Sequence, residues 1–222
     1  MTAMKALVSM RAWLKDWSSL WFVDHGLIRT IWSNRYLVPG GLYRANQPSP
    51  GMVRWYRRRL GVRAILNLRG ENNEYGFYRL EKRACAREGV RLVNAKTWSR
   101  GLLTVAELEH LKVVIETVET PALAHCKSGA DRAGFFAVLW RHWRLGEPIE
   151  SALSELHWRF GHFKSAKTGM LDHFFETYLR QRKEGQSLID WIRTDYDPEA
   201  IKASFSPKPW ATWFVDDFLG RE

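Results

Sequence analysis

The chain has 222 residues, of which 45% are hydrophobic and 26% are charged, so it fits one globular domain with extensions and is not a disordered chain. Its formal net charge of +10 indicates either an anionic partner (nucleic acid, an anionic membrane surface or a phosphorylated substrate) or simply a basic soluble protein. Two cysteines cannot form a disulfide framework, and no apolar run approaches the ~20 residues that span a bilayer.

Residues 1–38 carry apolar side chains spaced three and four residues apart, which is typical of one face of an amphipathic helix. The stripe consists of Met10, Trp13, Leu14, Trp17, Leu20 and Trp21. Two interpretations stay open: the stripe docks onto the rest of the protein, or it lies on an anionic membrane surface. In either case we expect residues 1–38 to form a helical extension.

Strand and helix patterns alternate from residue 41 onward. Strands are predicted at 42–45, 62–68, 90–95 and 122–125, and helices at 51–60, 75–87 and 104–119, the last with a capping box of Thr104 and Glu107. This alternation predicts an α/β fold with a central, mostly parallel sheet of four to five strands and helices on both faces. Ligands bind outside the carboxyl ends of such strands, so chemistry is expected just after residues 68, 95 and 125.

The chain beyond residue 132 has a helical pattern, with helices predicted at 133–145, 149–160, 169–183 and 188–194. Residues 39–200 are therefore predicted to form one domain. Residues 201–222 form a C-terminal tail with an aromatic cluster, for which packing on the domain and contact with a membrane both stay open.

The segment 125–134 (HCKSGADRAG) lies between a predicted strand and a predicted helix. The backbone N–H groups of such a loop, together with the positive end of the following helix, can surround a phosphate. Gly129 allows a tight turn there. The same positive field favours the thiolate form of Cys126, which is the nucleophilic form. Arg132 can bind two phosphoryl oxygens at once through its planar guanidinium group.

His125, Cys126 and, after five further residues, Arg132 match the signature of the protein tyrosine phosphatase superfamily. The segments 42–48 (LYRANQP) and 65–69 (ILNLR) resemble the small dual-specificity-like phosphatases of bacteria and fungi. The resemblance implies the cysteine-phosphatase fold and the hydrolysis of phosphomonoesters through a phosphocysteine on Cys126. It implies no cofactor and no metal.

The resemblance also implies roles for the other residues of the site. Arg132 and the loop backbone would stabilise the equatorial oxygens of the transition state, and His125 would hold the loop. The predicted substrate-binding residues are His125, Lys127, Ser128, Gly129, Ala130, Arg69 and Arg100. A lysine directly after the cysteine resembles the tensin-type phosphoinositide phosphatases, so Lys127 either pairs with a second phosphate or is a solvated charge.

The sequence departs from the family in two respects. Many members carry Ser or Thr directly after the arginine, whereas this chain has Ala133, which predicts slower hydrolysis of the phosphocysteine. A general acid usually comes from an upstream Asp, but no Asp lies between Asp24 and Asp131. Asp131 is the preferred acid, since myotubularin-type phosphatases carry Asp at that place. The alternative is that Asp131 only hydrogen-bonds the loop, and Glu71 and Glu74 are second choices for the acid.

Two further groups of residues have simpler interpretations. Cys85 lies in a predicted helix and is expected in the core, with a protective disulfide to Cys126 as the alternative. A polar cluster in the late helices does not match the spacing of a zinc motif, and it is expected at helix ends and on the surface, with a place in the cleft near the site as a further option. Its members are His157, Arg159, His162, Asp172 and His173.

The predicted function is hydrolysis of a phosphomonoester on phosphotyrosine or another phosphoprotein. The first alternative is a phosphatase of a phosphorylated lipid or lipid-linked sugar, of the phosphoinositide or lipid A type, at the cytosolic face of a membrane. The second is an inactive module that binds phosphorylated ligands, as Ala133 and the missing loop Asp suggest. We expect a cytoplasmic protein, peripheral at the inner membrane face if it binds an anionic membrane. No nucleic-acid partner is expected, because the basic residues are dispersed along the chain and no recognition motif appears.

Overall fold

A five-stranded sheet forms the centre of the computed structural model, which describes residues 10–11, 14–20 and 33–209. The strands are β1 (Tyr36–Val38), β2 (Leu42–Ala45), β3 (Ala64–Asn67), β4 (Arg91–Asn94) and β5 (Ala122–His125), in the order β1-β2-β5-β3-β4. Strands β2, β5, β3 and β4 are parallel, and Ala45 and Asn67 both lie opposite His125. The predicted mostly parallel sheet of four to five strands is confirmed.

The helices between residues 33 and 209 lie between and after the strands. They are α1 (Pro50–Leu60), α2 (Gly76–Glu88), α3 (Val105–Thr117), α4 (Asp131–Leu145), α5 (Ile149–Ala152), α6 (Met170–Gln181), α7 (Leu188–Thr194) and α8 (Pro198–Ser204). The capping box predicted at the start of α3 is confirmed, because Thr104 and Glu107 make both reciprocal hydrogen bonds. Helices α1 and α2 each end at a glycine in the left-handed conformation, Gly61 and Gly89.

The helix predicted over residues 149–160 is wrong. Helix α5 ends at Ala152, and two short 3-10 turns follow at Leu153–Glu155 and Trp158–Phe160. The two turns are separated at His157, whose backbone is extended and whose ring accepts a hydrogen bond from the N–H of Arg159. The sequence pattern also does not predict α8, although Asp197 caps it and Pro198 takes its first position.

Contacts divide the chain into two compact units. The first contains residues 1–37, 41–96 and 119–128, and the second contains residues 38–40, 97–118 and 129–222. In the first unit, β2, β3 and β5 pack with α1 and α2 through Ala45, Ile65, Leu123, Val53, Tyr56 and Ala84. Every residue of β3 and β5 is buried, as strands covered on both faces require.

The second unit has an aromatic core. Phe135 of α4 contacts Phe174 and Phe175 of α6, with ring centroids 5.7 and 5.3 Å apart. Phe174 in turn contacts Trp191 of α7 at 5.8 Å. Rings in such tilted and edge-on arrangements combine large buried areas with favourable electrostatics. This core fixes α4, the helix that follows the HCKSGADRAG segment, against α6 and α7.

The described part of the N-terminal stripe packs on α2 within the first unit. Trp17 and Leu20 contact a cluster formed by Phe77, Tyr78 and Leu80. Docking therefore holds for these two residues, whereas Met10 and Leu14 are exposed. Trp13, Trp21 and the tail from residue 210 lie outside the described residues, so the interpretations of those parts stay predictions.

A buried ion pair strengthens this docking. Asp16 is buried and pairs with both Arg79 and Arg83 of α2. Burial alone raises the pKa of Asp16, but hydrogen bonds and charges of the two guanidinium groups outweigh burial and hold the pKa below its usual value. Across residues 10–11, 14–20 and 33–209, the helices are all too short or too polar to cross a bilayer.

Candidate active site

The HCKSGADRAG segment forms a loop between β5 and α4, where the sequence predicts it. Cys126 directly follows the carboxyl end of β5 and is 2% exposed. Gly129 has a φ of 77°, a left-handed conformation that residues with a Cβ rarely adopt, so the turn depends on glycine. Residues 126–128 belong to the first unit and residues 129–132 to the second, and each half has its own anchoring contacts.

In the first unit, neighbouring segments hold the loop through its carbonyl oxygens. The N–H of Gln47, just after β2, donates to the carbonyl of Lys127 at 3.3 Å. The side-chain amide of Asn34 donates to the carbonyl of Ser128 at 3.0 Å. Because the C=O and N–H of one peptide plane point in opposite directions, these bonds turn the N–H groups of residues 128 and 129 to the other side of the loop. An anion-binding loop requires N–H groups that are directed in this way.

A buried carboxylate contacts the signature histidine. Glu81 of α2 and His125 are both 0% exposed, and Glu81 Oε1 lies 2.6 Å from His125 Nε2. The contact is short, but its angles are not those of a regular hydrogen bond, so it is mainly electrostatic. The other ring nitrogen, His125 Nδ1, lies 3.4 Å from the carbonyl oxygen of Cys126. The buried Glu81 carboxylate therefore lies against the ring that precedes the cysteine and limits the positions that this ring can adopt.

This contact continues through Gln47 to a predicted substrate-binding residue. Gln47 Nε2 donates to Glu81 Oε2 at 3.3 Å, and Arg69 Nη1 donates to Gln47 Oε1 at 2.9 Å. The Arg69 guanidinium also lies over the ring of Phe77, 3.7 Å from its centroid. Arg69, which follows β3, is therefore linked to His125 by two intervening side chains.

The first unit thus holds five predicted site residues at the carboxyl edge of its sheet. They are Arg69, His125, Cys126, Lys127 and Ser128. Arg69, Lys127 and Ser128 are half-buried, so they are at least partly accessible. Their catalytic and binding roles stay predictions.

In the second unit, Asp131 begins α4 and contacts His162. His162 Nδ1 lies 2.7 Å from Asp131 Oδ1, and His162 Nε2 lies 2.6 Å from Oδ2 of Asp172 on α6. Burial alone lowers the pKa of His162, but the hydrogen bonds and charges of the two carboxylates outweigh burial and raise the pKa to about 9. At neutral pH both ring nitrogens therefore carry protons, and each donates to one carboxylate.

This pairing bears on the predicted general acid. An imidazolium that donates to Asp131 stabilises the carboxylate form, which accepts a proton rather than donating one. One oxygen of Asp131 therefore bonds to His162, a partner outside the loop that the sequence did not predict, and a hydrogen bond from Asp131 to the loop stays a prediction. The general-acid role stays a prediction.

The second unit also holds the remaining predicted site residues: Gly129, Ala130, Arg132 and Arg100. Arg132 lies in the first turn of α4 and is half-buried, which suits a side chain that meets a ligand. Ala130 is buried, and Arg100 is half-buried in the segment before α3. Their roles stay predictions.

The polar cluster predicted for the surface is only partly exposed. His157 and Arg159 are exposed, as expected. His162 and Asp172 are buried, so the surface interpretation is wrong for these two residues. Their burial is tolerated because the imidazolium and the two carboxylates satisfy one another's charges and hydrogen bonds.

The other candidate acids and the second cysteine belong to the first unit. Glu71 and Glu74 are exposed, and hydrogen bonds from Asn73 and Lys82 lower the pKa of Glu71, which favours its ionised form. Cys85 is buried in the first unit's core, and no disulfide joins it to Cys126. Burial, and secondarily the charge of Glu81, raise the pKa of Cys85 well above its usual value. Core packing of Cys85 is confirmed.

Glu81 is the site residue that the sequence analysis missed, although a signal for it exists. It lies four residues after Phe77 and four before Cys85, on the buried stripe of α2. A carboxylate in the apolar stripe of a helix requires a polar partner, because burying it alone is too costly. In residues 10–11, 14–20 and 33–209, no group of His, Cys, Asp or Glu is placed to hold a metal ion.

Comparisons with known proteins agree with this architecture. Pseudomonas aeruginosa TpbA is 23% identical with a TM-score of 0.50, and the match covers 72% of this chain and 89% of that chain. A TpbA variant in complex with pTyr is 22% identical with a TM-score of 0.50, and the match covers 72% of this chain and 88% of that chain. Tk-PTP in its active form is 20% identical with a TM-score of 0.51, covering 68% and 99%. At these identities the similarity shows the fold alone. No curated protein matches the sequence.

Family membership follows from a broader match. Residues 39–170 match the family model described as "PTP-NADK: DSP-PTPase phosphatase fused to NAD+ Kinase". The matched segment is more than half of the chain and runs from the turn before β2 into the first residue of α6. The protein therefore belongs to this DSP-PTPase family and is a cysteine-dependent phosphatase of the tyrosine and dual-specificity type.

Proposed function

We propose that the protein hydrolyses phosphotyrosine in proteins, with Cys126 as the nucleophile and Arg132 as the residue that binds the phosphoryl group. The observation that carries the proposal is the setting of Cys126. Its side chain is nearly buried at the carboxyl end of β5, in a loop whose carbonyl groups are bonded to neighbouring segments. The TpbA variant in complex with pTyr supports phosphotyrosine as the substrate class.

The proposed reaction has two steps. The Cys126 thiolate attacks phosphorus, so that an S–P bond forms while the P–O bond to the tyrosine oxygen breaks. The leaving phenolate oxygen takes up a proton, and the proposed donor is Asp131 in its protonated form, which must first take a proton from water. Water then attacks the phosphocysteine, the S–P bond breaks, and inorganic phosphate leaves with the thiolate restored. In both steps Arg132 and the loop N–H groups stabilise the nonbridging oxygens.

Steady-state kinetics on p-nitrophenyl phosphate and on a phosphotyrosine peptide test the nucleophile. We expect Cys126→Ser to abolish turnover of both substrates, because a hydroxyl is a far weaker nucleophile than a thiolate. Cys85→Ala is the matched control and keeps its activity, since Cys85 lies in the core. Turnover that survives Cys126→Ser would contradict the proposal. A folded wild type that binds phosphotyrosine without turnover would instead identify the inactive binding module.

A phosphorylated lipid or lipid-linked sugar is the second candidate substrate. Lys127 directly follows Cys126 and Arg69 follows the adjacent strand β3, so the first unit presents two cations at this edge in addition to Arg132 of the second unit. Two cations suit a substrate with more than one phosphate. Phosphoinositide in mixed micelles, assayed beside the phosphotyrosine peptide, separates the candidates.

Lys127→Met sharpens this comparison. A loss of kcat/KM on the phosphoinositide alone would favour the lipid substrate, whereas equal losses on both substrates would assign Lys127 to the loop. Lys202→Met, which removes an exposed cation of α8 in the second unit, is the matched control for net charge.

A further inference from the structure

The positive charge of the chain is concentrated in one part of the first unit. Residues 41–96 contain 13 Lys and Arg residues, four Glu and no Asp, which is +9 of the net +10. Residues 129–222 contain 13 Lys and Arg residues against 14 acidic ones. The basic residues are dispersed along the sequence, as expected, but the excess of positive over negative charge is concentrated in residues 41–96.

Six arginines of this segment gather at the amino-terminal edge of the sheet. Helices α1 and α2 each connect two parallel strands, so each runs back from the carboxyl edge and ends near the amino edge. The N–H of Arg91 donates to the carbonyl of Arg63 at 2.8 Å, which joins the residues at the starts of β3 and β4. We call this surface the arginine edge; it consists of Arg57, Arg58, Arg59, Arg63, Arg87 and Arg91, all exposed.

Helix stabilisation accounts for only part of this cluster. Cations in the last turn of a helix interact favourably with its terminal carbonyls, which explains the arginines that end α1 and α2. Arg63 and Arg91 lie outside the helices and have no such role. Within the first unit, the acids at this edge are Glu88, which lies 3.6 Å from Arg58, and the exposed Glu119. In this unit six cations therefore face two anions.

An exposed tryptophan adjoins the cluster. Trp55 is 40% exposed and lies one helical turn before Arg58 and Arg59. Trp beside Arg is typical of surfaces that contact bilayer headgroups. Single-stranded nucleic acid instead stacks its bases on aromatic faces. Arg35 lies over the Trp55 ring, 4.4 Å from its centroid, so this face of the ring is not open to a base. The combination favours lipid headgroups over nucleobases.

We propose that the arginine edge, together with Trp55, docks the protein onto a membrane that carries anionic lipids. Cys126 lies at the opposite, carboxyl edge of the same sheet. A protein docked in this way holds Cys126 away from the bilayer and towards substrates in solution. The docking does not depend on the proposed function. Only the statement that the catalytic cysteine faces away from the bilayer rests on the proposed function.

Vesicle co-sedimentation of the full chain tests the docking. We expect binding to vesicles of phosphatidylcholine with phosphatidylserine, weakening as salt is added, and no binding to pure phosphatidylcholine. The triple variant Arg57→Gln/Arg63→Gln/Arg91→Gln is expected to bind about 100-fold more weakly, at about fivefold per basic residue. The matched control Arg180→Gln/Lys183→Gln/Lys202→Gln removes the same charge from the second unit and should bind as the wild type does. Circular dichroism verifies that both variants fold.

Three outcomes would overturn the docking: no binding by the wild type, equal weakening in both triple variants, or binding to a single-stranded oligonucleotide but not to the vesicles. The orientation has its own readout. We expect kcat/KM on soluble p-nitrophenyl phosphate to stay unchanged when the enzyme is saturated with vesicles, and a marked fall would place the site against the bilayer. Absence of any turnover, with vesicle binding intact, would contradict the proposed function and leave the docking supported.

Discussion

A histidine–carboxylate contact is found in each half of the HCKSGADRAG segment, and the two contacts differ in composition. In the first unit the histidine, His125, belongs to the signature and has one carboxylate neighbour, Glu81. In the second unit the carboxylate, Asp131, belongs to the signature, and its histidine, His162, is shared with Asp172. The first contact therefore positions a ring of the signature, whereas the second places a positive charge, that of His162, beside the loop. The difference teaches that the number of carboxylates at a buried histidine decides the role of the contact. One carboxylate orients the ring of His125, whereas two carboxylates keep His162 charged.

Removing Glu81 breaks the first contact and is expected to have the largest effect. Glu81→Ala leaves His125 buried without its carboxylate, and we expect a loss of about 3–5 kcal/mol in the free energy of unfolding, measured by urea denaturation. Glu81→Gln keeps the size of the side chain and should lose less. Glu71→Gln, an exposed carboxylate just before α2, is the control and should leave stability unchanged. A Glu81→Ala variant as stable as the wild type would show that the contact does not hold the loop.

The second contact predicts a pH-dependent stability. Because the pKa of His162 is raised to about 9, its contribution is fully present below the unfolded value of about 6.5 and is lost as the pH rises through 9. Denaturation of the wild type and of His162→Gln should therefore differ by on the order of 3 kcal/mol near pH 6 and converge above about pH 9. A difference that stays constant across this range would mean that the histidine acts through packing and not through its charge.

The two carboxylates of His162 separate a catalytic role from a structural one. If Asp131 is the general acid, Asp131→Asn lowers kcat/KM about 100-fold with phenyl phosphate and much less with p-nitrophenyl phosphate, whose leaving group needs no proton. The ratio kcat/KM reports the first step even when hydrolysis of the phosphocysteine limits kcat. Asp172→Asn removes the other partner of the same histidine and should lower both rates by the same small factor. Equal behaviour of the two variants would leave Asp131 with its hydrogen bond to His162 as its only role.

The sequence identifies His125 and Asp131 as site residues but does not predict their contacts with Glu81 and His162. His125 and Asp131 belong to a short signature whose residue types and spacing are visible in the sequence. Their partners lie 44 residues earlier and 31 residues later, on elements that only the folded chain brings near. The same distinction holds for the fold. Local alternation predicts β2 to β5 but not β1, whose residues the sequence assigned to the helical extension. It also misses the extended backbone at His157, where a side-chain hydrogen bond starts a new turn.

The smallest effect is expected at Ala133, directly after the signature arginine in the second unit. Slow hydrolysis of the phosphocysteine predicts a burst of product in the wild type, equal in amount to the enzyme, before the steady state. Ala133→Ser supplies the hydroxyl that many family members carry, and we expect it to shrink the burst and raise steady-state kcat about threefold, or ~0.6 kcal/mol.

Ala133 is completely buried, so the added hydroxyl also has a packing cost that must be measured separately. Ala137→Ser provides that measurement, because Ala137 lies one turn further along α4 and is equally buried. A wild type without a burst would contradict the prediction of a slow second step. A similar rise in kcat for Ala137→Ser would assign the effect to the packing of α4, since a hydroxyl one turn from the loop has no direct part in hydrolysing the phosphocysteine.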